Sequence, residues 1–252
     1  MTASDGSDDP EEPADVAHDF AVARGAAEPS SRAGWPVELR GVTETVVATL
    51  GPNDRWNLAA WGVHAPETAG DGDGTGTETE AEVEAETEAE DGGPPATAYT
   101  FGRTRTWRNV RERGGAVVTF VTDPRDFVDA ALSVREASGP VLPSADAWVE
   151  VAVDRVGVEQ RGDTTVREWS LTPVAGAVRR RRPRAVNRAF GAVVDATVAA
   201  SRLDVDAYDE ATLLDRLRYF ADVVDRCGGS AERAAFGRID DYVGWRGRDG
   251  WE

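Results

Sequence analysis

Lysine is absent from this chain: all 28 basic residues are arginine, set against 46 acidic residues, for a net charge of −18. Without lysine there can be no GxxxxGK[ST] phosphate loop. A surface of this sign repels phosphates, which argues against general nucleic-acid or membrane-surface binding. The single cysteine, Cys227, excludes an internal disulfide framework and a cysteine-rich zinc site. Two histidines, His18 and His64, are too few for most histidine-based metal centres, so no metal site is expected. No apolar run approaches the ~18 residues of a membrane-spanning helix. The acidic N-terminus lacks the basic-then-apolar order of a signal peptide, so a cytoplasmic protein is expected. No GxGxxG follows a strand-like run, and neither GxSxG nor HExxH is present.

The acidic excess and the replacement of lysine by arginine fit a high-salt cytoplasm, where the Debye length shrinks to about 3 Å at 1 M and self-repulsion is screened. An acidic protein from a GC-rich mesophile is the alternative, and the two compositional features together favour the halophile.

Residues 1–34, rich in Asp, Glu, Ala, Ser and Pro, read as a disordered acidic tail. Val42–Leu50 is β-branched and strand-like, Gly51-Pro52-Asn53-Asp54 supplies a turn, and Arg55–Ala65 reads as the return strand. The stretch 66–95 is low-complexity and acidic, and reads as a disordered insertion. Within it, Asp71, Asp73, Thr75, Gly76 and Glu82 match calcium-loop spacing, but no apolar helices flank them and chance explains the match better. Further strands are expected over 97–103, 116–122, 148–158 and 164–171, and a short helix over 106–113. Asp123 and Pro124 should cap and open a helix through Leu132. After Pro183 the period changes to 3.6. Val186, Phe190, Val193 and Thr197 mark one helical face, 211–227 gives a second helix, and Ser230 caps a third. A β-rich domain over 36–175 thus precedes a helical domain over 184–245.

One segment concentrates positive charge. Gly102–Asn109 reads GRTRTWRN at a strand-to-helix junction. Free amides at a helix start, hydroxyls and guanidinium forks together suit the phosphate of a ligand. A capped helix with solvated arginines is the alternative, and the local pattern leaves both open. Asn57-Leu58-Ala59-Ala60-Trp61-Gly62 places small residues in a strand, where a flat group or a neighbouring backbone can approach closely. A block of arginines, Arg179–Arg182 with Arg184, can reach a phosphate, contact RNA or pair with the protein's own carboxylates, the last being the ordinary fate of exposed charge runs.

The succession ETVVAT (44–49), NLAAWGV (57–63), FGRTRTWRNV (101–110) and VVTFVTDPRDFVDAAL (117–132) resembles the flavin-reductase-like FMN-binding split-barrel superfamily. Within it, the chain is most similar to the uncharacterised archaeal flavoprotein family called domain of unknown function 447. The helical segment 184–203 resembles that family's C-terminal domain. The resemblance implies a six-stranded, Greek-key-like split β-barrel with a C-terminal helical subdomain, forming a homodimer with FMN near the interface. Arg103, Thr104, Thr106 and Asn109 would hold the phosphate and ribityl chain, while Asn57, Ala59, Ala60, Trp61 and Gly62 would line the isoalloxazine. Leu58 and Trp61 depart from the family pattern, implying a tighter or differently stacked ring pocket in which the indole stacks on flavin or partly blocks a nicotinamide. An FMN-dependent oxidoreductase reduced by a nicotinamide or deazaflavin is the implied activity. A non-catalytic flavin module for storage or sensing, and a nucleic-acid regulator acting through Arg179–Arg184, are the alternatives. No residue stands out as a general acid or base.

Overall fold

A computed structural model describes residues 34–66, 93–183 and 185–248. Residues 1–33 of the acidic tail, the calcium-like spacing at 71–82, most of the insertion and Arg184 lie outside the described residues.

Seven strands form one antiparallel sheet: β1 Val42–Leu50, β2 Trp56–His64, β3 Ala96–Phe101, β4 Gly115–Val121, β5 Arg135–Ala137, β6 Ala145–Arg161 and β7 Thr164–Val178. The order β1-β4-β6-β7-β3-β2 is closed by β1–β2 pairing into a six-stranded barrel, and β5 lies outside it on Trp56–Leu58 of β2. The barrel is the split barrel expected from the sequence. In β1, five consecutive buried residues replace the alternation of a one-sided strand, because both of its faces are covered. Val47 points into the barrel with Val63, Val118, Val149 and Leu171, while Val46 and Ala48 join an outer layer with Trp56, Leu58 and Trp148. Alanines 96, 98 and 116 make room inside for the indoles of Trp61 and Trp169.

Helix α1 (Arg105–Arg113) follows β3, and α2 (Pro124–Leu132) follows β4. Helix α2 serves two cores: Phe127 and Ala130 pack on the barrel's outer layer, and Val128 packs against the C-terminal helices. Those helices are α3 (Arg188–Ala200), α4 (Glu210–Cys227) and α5 (Ser230–Val243), gathered around Leu213, Leu217, Val224, Phe236 and Ile239. A carboxylate strengthens the junction. Asp129 of α2 accepts hydrogen bonds from Arg238 Nη1 and, at 3.0 Å, from the Tyr242 hydroxyl, both on α5. No helix among the described residues is long and apolar enough to cross a membrane.

Two helix starts differ from the sequence reading. Val186 precedes α3 and is 95% exposed, because Asn187 caps the helix by accepting from Ala189 N–H at 2.9 Å. Val193 and Thr197 of the expected face are buried, and the rest of the buried face is alanine (Ala189, Ala192, Ala196, Ala199, Ala200), which suits close packing of α3 on α4. Ser230 is the first residue of α5 and not its cap: Gly229 takes that position, and its N–H donates to Glu232 Oε2 at 2.9 Å.

Asp123 caps α2 as expected. One carboxylate oxygen accepts from Arg125 N–H at 2.9 Å, and the same carboxylate pairs with the Arg125 guanidinium. That guanidinium bond, ahead of the Arg125 charge and the backbone bond, holds the Asp123 pKa below its usual value. Its stabilising contribution is therefore present above the ordinary aspartate range and lost as pH falls through the lowered value. Asp123→Ala is expected to cost about 1 kcal/mol at neutral pH, with the difference from wild type shrinking in acid. Asp123→Asn, which still caps, should lose less. Urea denaturation from pH 7 to 3 measures both.

Candidate functional site

The junction between β3 and α1 is fixed by Gly102, whose φ of +66° turns the chain. Its N–H donates to Thr165 O at 2.8 Å, and its carbonyl accepts from Arg167 Nη1 at 3.0 Å. Thr104 then caps α1, accepting from Trp107 N–H at 3.1 Å. The first turn contains no acidic residue, so the positive end of the helix is uncompensated within its own segment.

Helix α1 closes one end of the barrel with Thr106, Asn109 and Val110 buried beneath it. Asn57, arriving from β2, places Nδ2 3.5 Å from Thr106 Oγ1, the outer limit of a hydrogen bond. Asn109 Nδ2 donates to Thr49 Oγ1 at 3.0 Å and lies 3.4 Å from Thr49 O. These bonds tie α1 to β1. Asn109→Ala is expected to lose about 2–3 kcal/mol of folding stability, by leaving buried Thr49 without its donor and opening a void. Chemical denaturation of the flavin-free protein reads this separately from any ligand effect.

Beside this end lies a cleft of about 290 Å³, lined by Gly51, Pro52, Asn53, Asn57, Arg105, Arg108, Asn109 and Glu136. Glu136, on β5, accepts from Arg105 Nη1 at 2.8 Å and from Asn53 Nδ2 at 3.2 Å. Arg108 has no carboxylate partner among the described residues, and its Nε and Nη2 lie 3.4 and 3.3 Å from Asn109 Oδ1. Arg105 and Glu136 were not among the expected site residues. Arg105 lies within GRTRTWRN, but the three-residue β5 leaves no periodic pattern by which Glu136 could be found.

Strand β2 has a break in its pairing. Trp56–Leu58 pairs with β5 and Val63–His64 with β3, so Ala59, Ala60, Trp61 and Gly62 have β1 on one edge and no strand on the other among the described residues. The Trp61 indole fills the interior beside this break: it is 5% exposed, and Nε1 donates to Tyr99 O of β3 at 2.7 Å. Gly62 meets β1 so closely that a Cβ would come within 2.9 Å of Val42 Cγ1. Ala59 packs with the barrel interior and Ala60 with the outer layer. Asn57, Thr106 and Asn109 therefore converge under α1, with Thr104 at its cap, whereas Trp61 and Gly62 are held in the barrel wall. Arg103 lies apart from the cleft, next to Arg167.

The arginine block is engaged locally. Arg179 Nη1 donates to Leu142 O and Arg180 Nη1 to Pro143 O, each at 2.9 Å. Arg180 and Arg182 approach Asp146 Oδ1 at 3.6 and 3.5 Å. The end of β7 pairs with the start of β6, which brings the block against this loop.

A closed six-stranded barrel with an α1 plug and a three-helix appendage is the architecture of a split-barrel protein. Residues 89–180 match the model described as "Protein of unknown function (DUF447) N-terminal domain", and residues 187–241 match that of the C-terminal part, "Protein of unknown function (DUF447)". Together they span more than half of the sequence, and the chain belongs to the DUF447 family. The crystal structure of an FMN-bound DUF447 protein from Methanosarcina mazei is similar, with a TM-score of 0.60 and 22% identity, covering 82% of this chain and 97% of that one. The styrene monooxygenase flavin reductase of Pseudomonas putida S12 gives a TM-score of 0.34 at 13% identity, covering 59% and 95% of the two chains. An FMN-binding protein of Thermus thermophilus, with bound 1-cyclohex-2-enone, gives 0.35 at 14% identity over 62% and 80%. No curated protein matches this sequence.

Proposed function

We propose that this protein binds FMN and acts as an oxidoreductase of flavin-reductase type in the cytoplasm of a salt-loving archaeon. The observation that carries the reading is the uncompensated start of α1, capped by Thr104 and flanked by Arg103, beside the unpaired edge of β2. A phosphate dianion is the natural complement of such a helix start, since first-turn amides, hydroxyls and a guanidinium all donate to it. Arg103, Thr104 and Thr106 would hold the phosphate, Asn57 and Asn109 the ribityl chain, and the β2 segment 59–62 one edge of the flavin ring. The FMN-bound relative from Methanosarcina mazei supports the choice of ligand.

The cleft of about 290 Å³ is lined by Asn57 and Asn109 but by none of Arg103, Thr104, Thr106 or the 59–62 segment, so the site read here extends beyond it. A second copy covering the ring, in a homodimer with FMN near the interface, is the arrangement we propose. Bound FMN supplies the redox chemistry, accepting a hydride or electrons from a nicotinamide or deazaflavin donor. The chain's residues then bind and orient it. Glu136, the one carboxylate in the cleft, is engaged by Arg105 and Asn53 rather than free to carry protons. That pairing also favours a second reading, a flavin-holding module without turnover.

Reconstitution with FMN followed by gel filtration and an absorbance spectrum tests the binding. Flavin bands eluting with the protein are expected, and colourless protein after reconstitution would overturn the reading. Anaerobic mixing with NADH, NADPH or a reduced deazaflavin then separates the two functions: bleaching of the flavin band supports the oxidoreductase, and a persistently oxidised flavin supports the holding module.

A further inference from the structure

The flank of α1 turned away from the cleft has a different character. At 100° per residue, Trp107 and Arg111 share one side of the helix, while Arg105 and Arg108 lie on the other. The Cζ atoms of Arg111 and Arg167 each lie 4.7 Å from the Trp107 ring centroid. Arg167 and Arg155 come from β7 and β6: Arg155 pairs in register with Trp169, which faces the barrel interior, and Arg167 lies two residues before Trp169 on the same face. Arg103 completes the group at the entrance to α1.

No described carboxylate forms an ion pair with Arg103, Arg155 or Arg167, and Arg111 reaches only its neighbour Glu112, at 3.7 Å. Elsewhere in the same molecule arginines find acids readily: Arg125 pairs with Asp123, Arg135 with Asp126 and Arg248 with Asp204. Burial, followed by the positive charges of Arg103, Arg155 and Arg111, holds the Arg167 pKa below the ordinary guanidinium value. The Trp107 Nε1–H is buried at the same place without an acceptor. Among the described residues, three guanidinium groups thus stand together without an ion pair, beside a fourth, that of Arg111, whose one carboxylate is Glu112 at 3.7 Å. Like charges so close repel one another unless an anion lies among them.

We propose that this flank binds an anion of the diphosphate class, carrying at least two phosphate groups, at a site that adjoins the flavin's and meets it at Arg103. Four guanidinium groups exceed what one phosphate monoester of charge about −2 can neutralise, and their forks suit several phosphoryl oxygens at once. The site goes beyond the flavin reading and shares only Arg103 with it. Trp107 is already covered by two guanidinium groups, so recognition rests on the phosphates and not on a stacked base.

Calorimetric titration of the full-length FMN-loaded protein with inorganic pyrophosphate tests this, with inorganic phosphate, ADP and a single-stranded oligonucleotide for comparison. Pyrophosphate is expected to bind about tenfold or more tightly than phosphate. Arg111→Gln and Arg155→Gln, which remove no hydrogen bond seen in the fold, should each weaken it by about tenfold with flavin content and melting temperature unchanged. ADP binding more tightly than pyrophosphate would support the site with a nucleotide as the source of the diphosphate, and equal binding would support it with the free ion. Unchanged pyrophosphate affinity in both variants would overturn the proposal. So would one-for-one displacement of FMN, which would make the patch the flavin's own phosphate seat, or an oligonucleotide binding more tightly than either diphosphate. If the protein holds no FMN, the same titration on the flavin-free chain gives an independent answer, so the two readings fail separately.

Discussion

Trp61→Ala is expected to destabilise the protein by about 3–5 kcal/mol, the usual cost of emptying a large buried aromatic site. The indole is 5% exposed in the barrel interior, packed with Val47, Val63 and Trp169. It also bridges the break between β2 and β3, where Nε1 donates to Tyr99 O across a stretch with no strand ladder. Removing it empties the volume and unties the carbonyl. Trp61→Phe retains much of the ring and loses the bond, so a smaller loss of about 1–2 kcal/mol is expected. Chemical denaturation of the flavin-free proteins gives both values. FMN affinity should be nearly unchanged in Trp61→Phe, since the indole acts from inside the wall. Unchanged stability in Trp61→Ala, together with a large loss of flavin from Trp61→Phe, would return Trp61 to the ring-stacking role that the family resemblance implies.

This residue illustrates what could be read from the sequence. Val42–Leu50 is legible as a strand because its β-branched run is continuous, and the observed β1 has the same bounds. The direction of Trp61 was not legible. Period 2 assigns alternate residues to opposite faces, but nothing in NLAAWGV says which face is the barrel interior. The ends of the long hairpin were also missed. The alternating pattern ends the expected strand at Leu171, yet β7 continues to Val178, with a register shift between Glu150 and Val151 opposite Pro173, which cannot donate to the ladder. β6 begins at Ala145, three residues before the expected start, where alanines carry little strand preference.

At the candidate site, the residues nearest one another in sequence were the easiest to place. Thr104 and Asp123 have hydroxyl or carboxylate caps three or fewer residues from the amides they serve. Asn57 and Thr106 come together only once β2 and α1 meet at the same end of the barrel, at a sequence separation of 49. The family resemblance could pair them, and their local patterns could not. The Arg105–Glu136 contact across 31 residues had neither kind of signal.

Replacing both Thr104 and Thr106 is expected to have the largest effect on the ligand. Each hydroxyl directed at a phosphate contributes about 1.5–3 kcal/mol as a hydrogen bond to a charged group, so the double variant Thr104→Ala/Thr106→Ala should bind FMN about a hundredfold more weakly or worse. Thr104 also caps α1, and its alanine variant loses about 1 kcal/mol of helix stability apart from any ligand contact. Two single variants separate these contributions. Thr104→Asn retains a capping side chain and should stay folded while FMN weakens. Thr106→Val preserves the buried volume, since Thr106 is 6% exposed, and removes the hydroxyl that lies 3.5 Å from Asn57 Nδ2. Fluorescence titration of the folded variants with FMN, at the salt concentration that keeps wild type stable, reads affinity directly. Equal affinity in the double variant and wild type would remove the phosphate from this helix start and with it the observation on which the flavin reading rests. A loss confined to Thr106→Val would instead place the phosphate deeper, toward Asn57, leaving Thr104 as a helix cap alone.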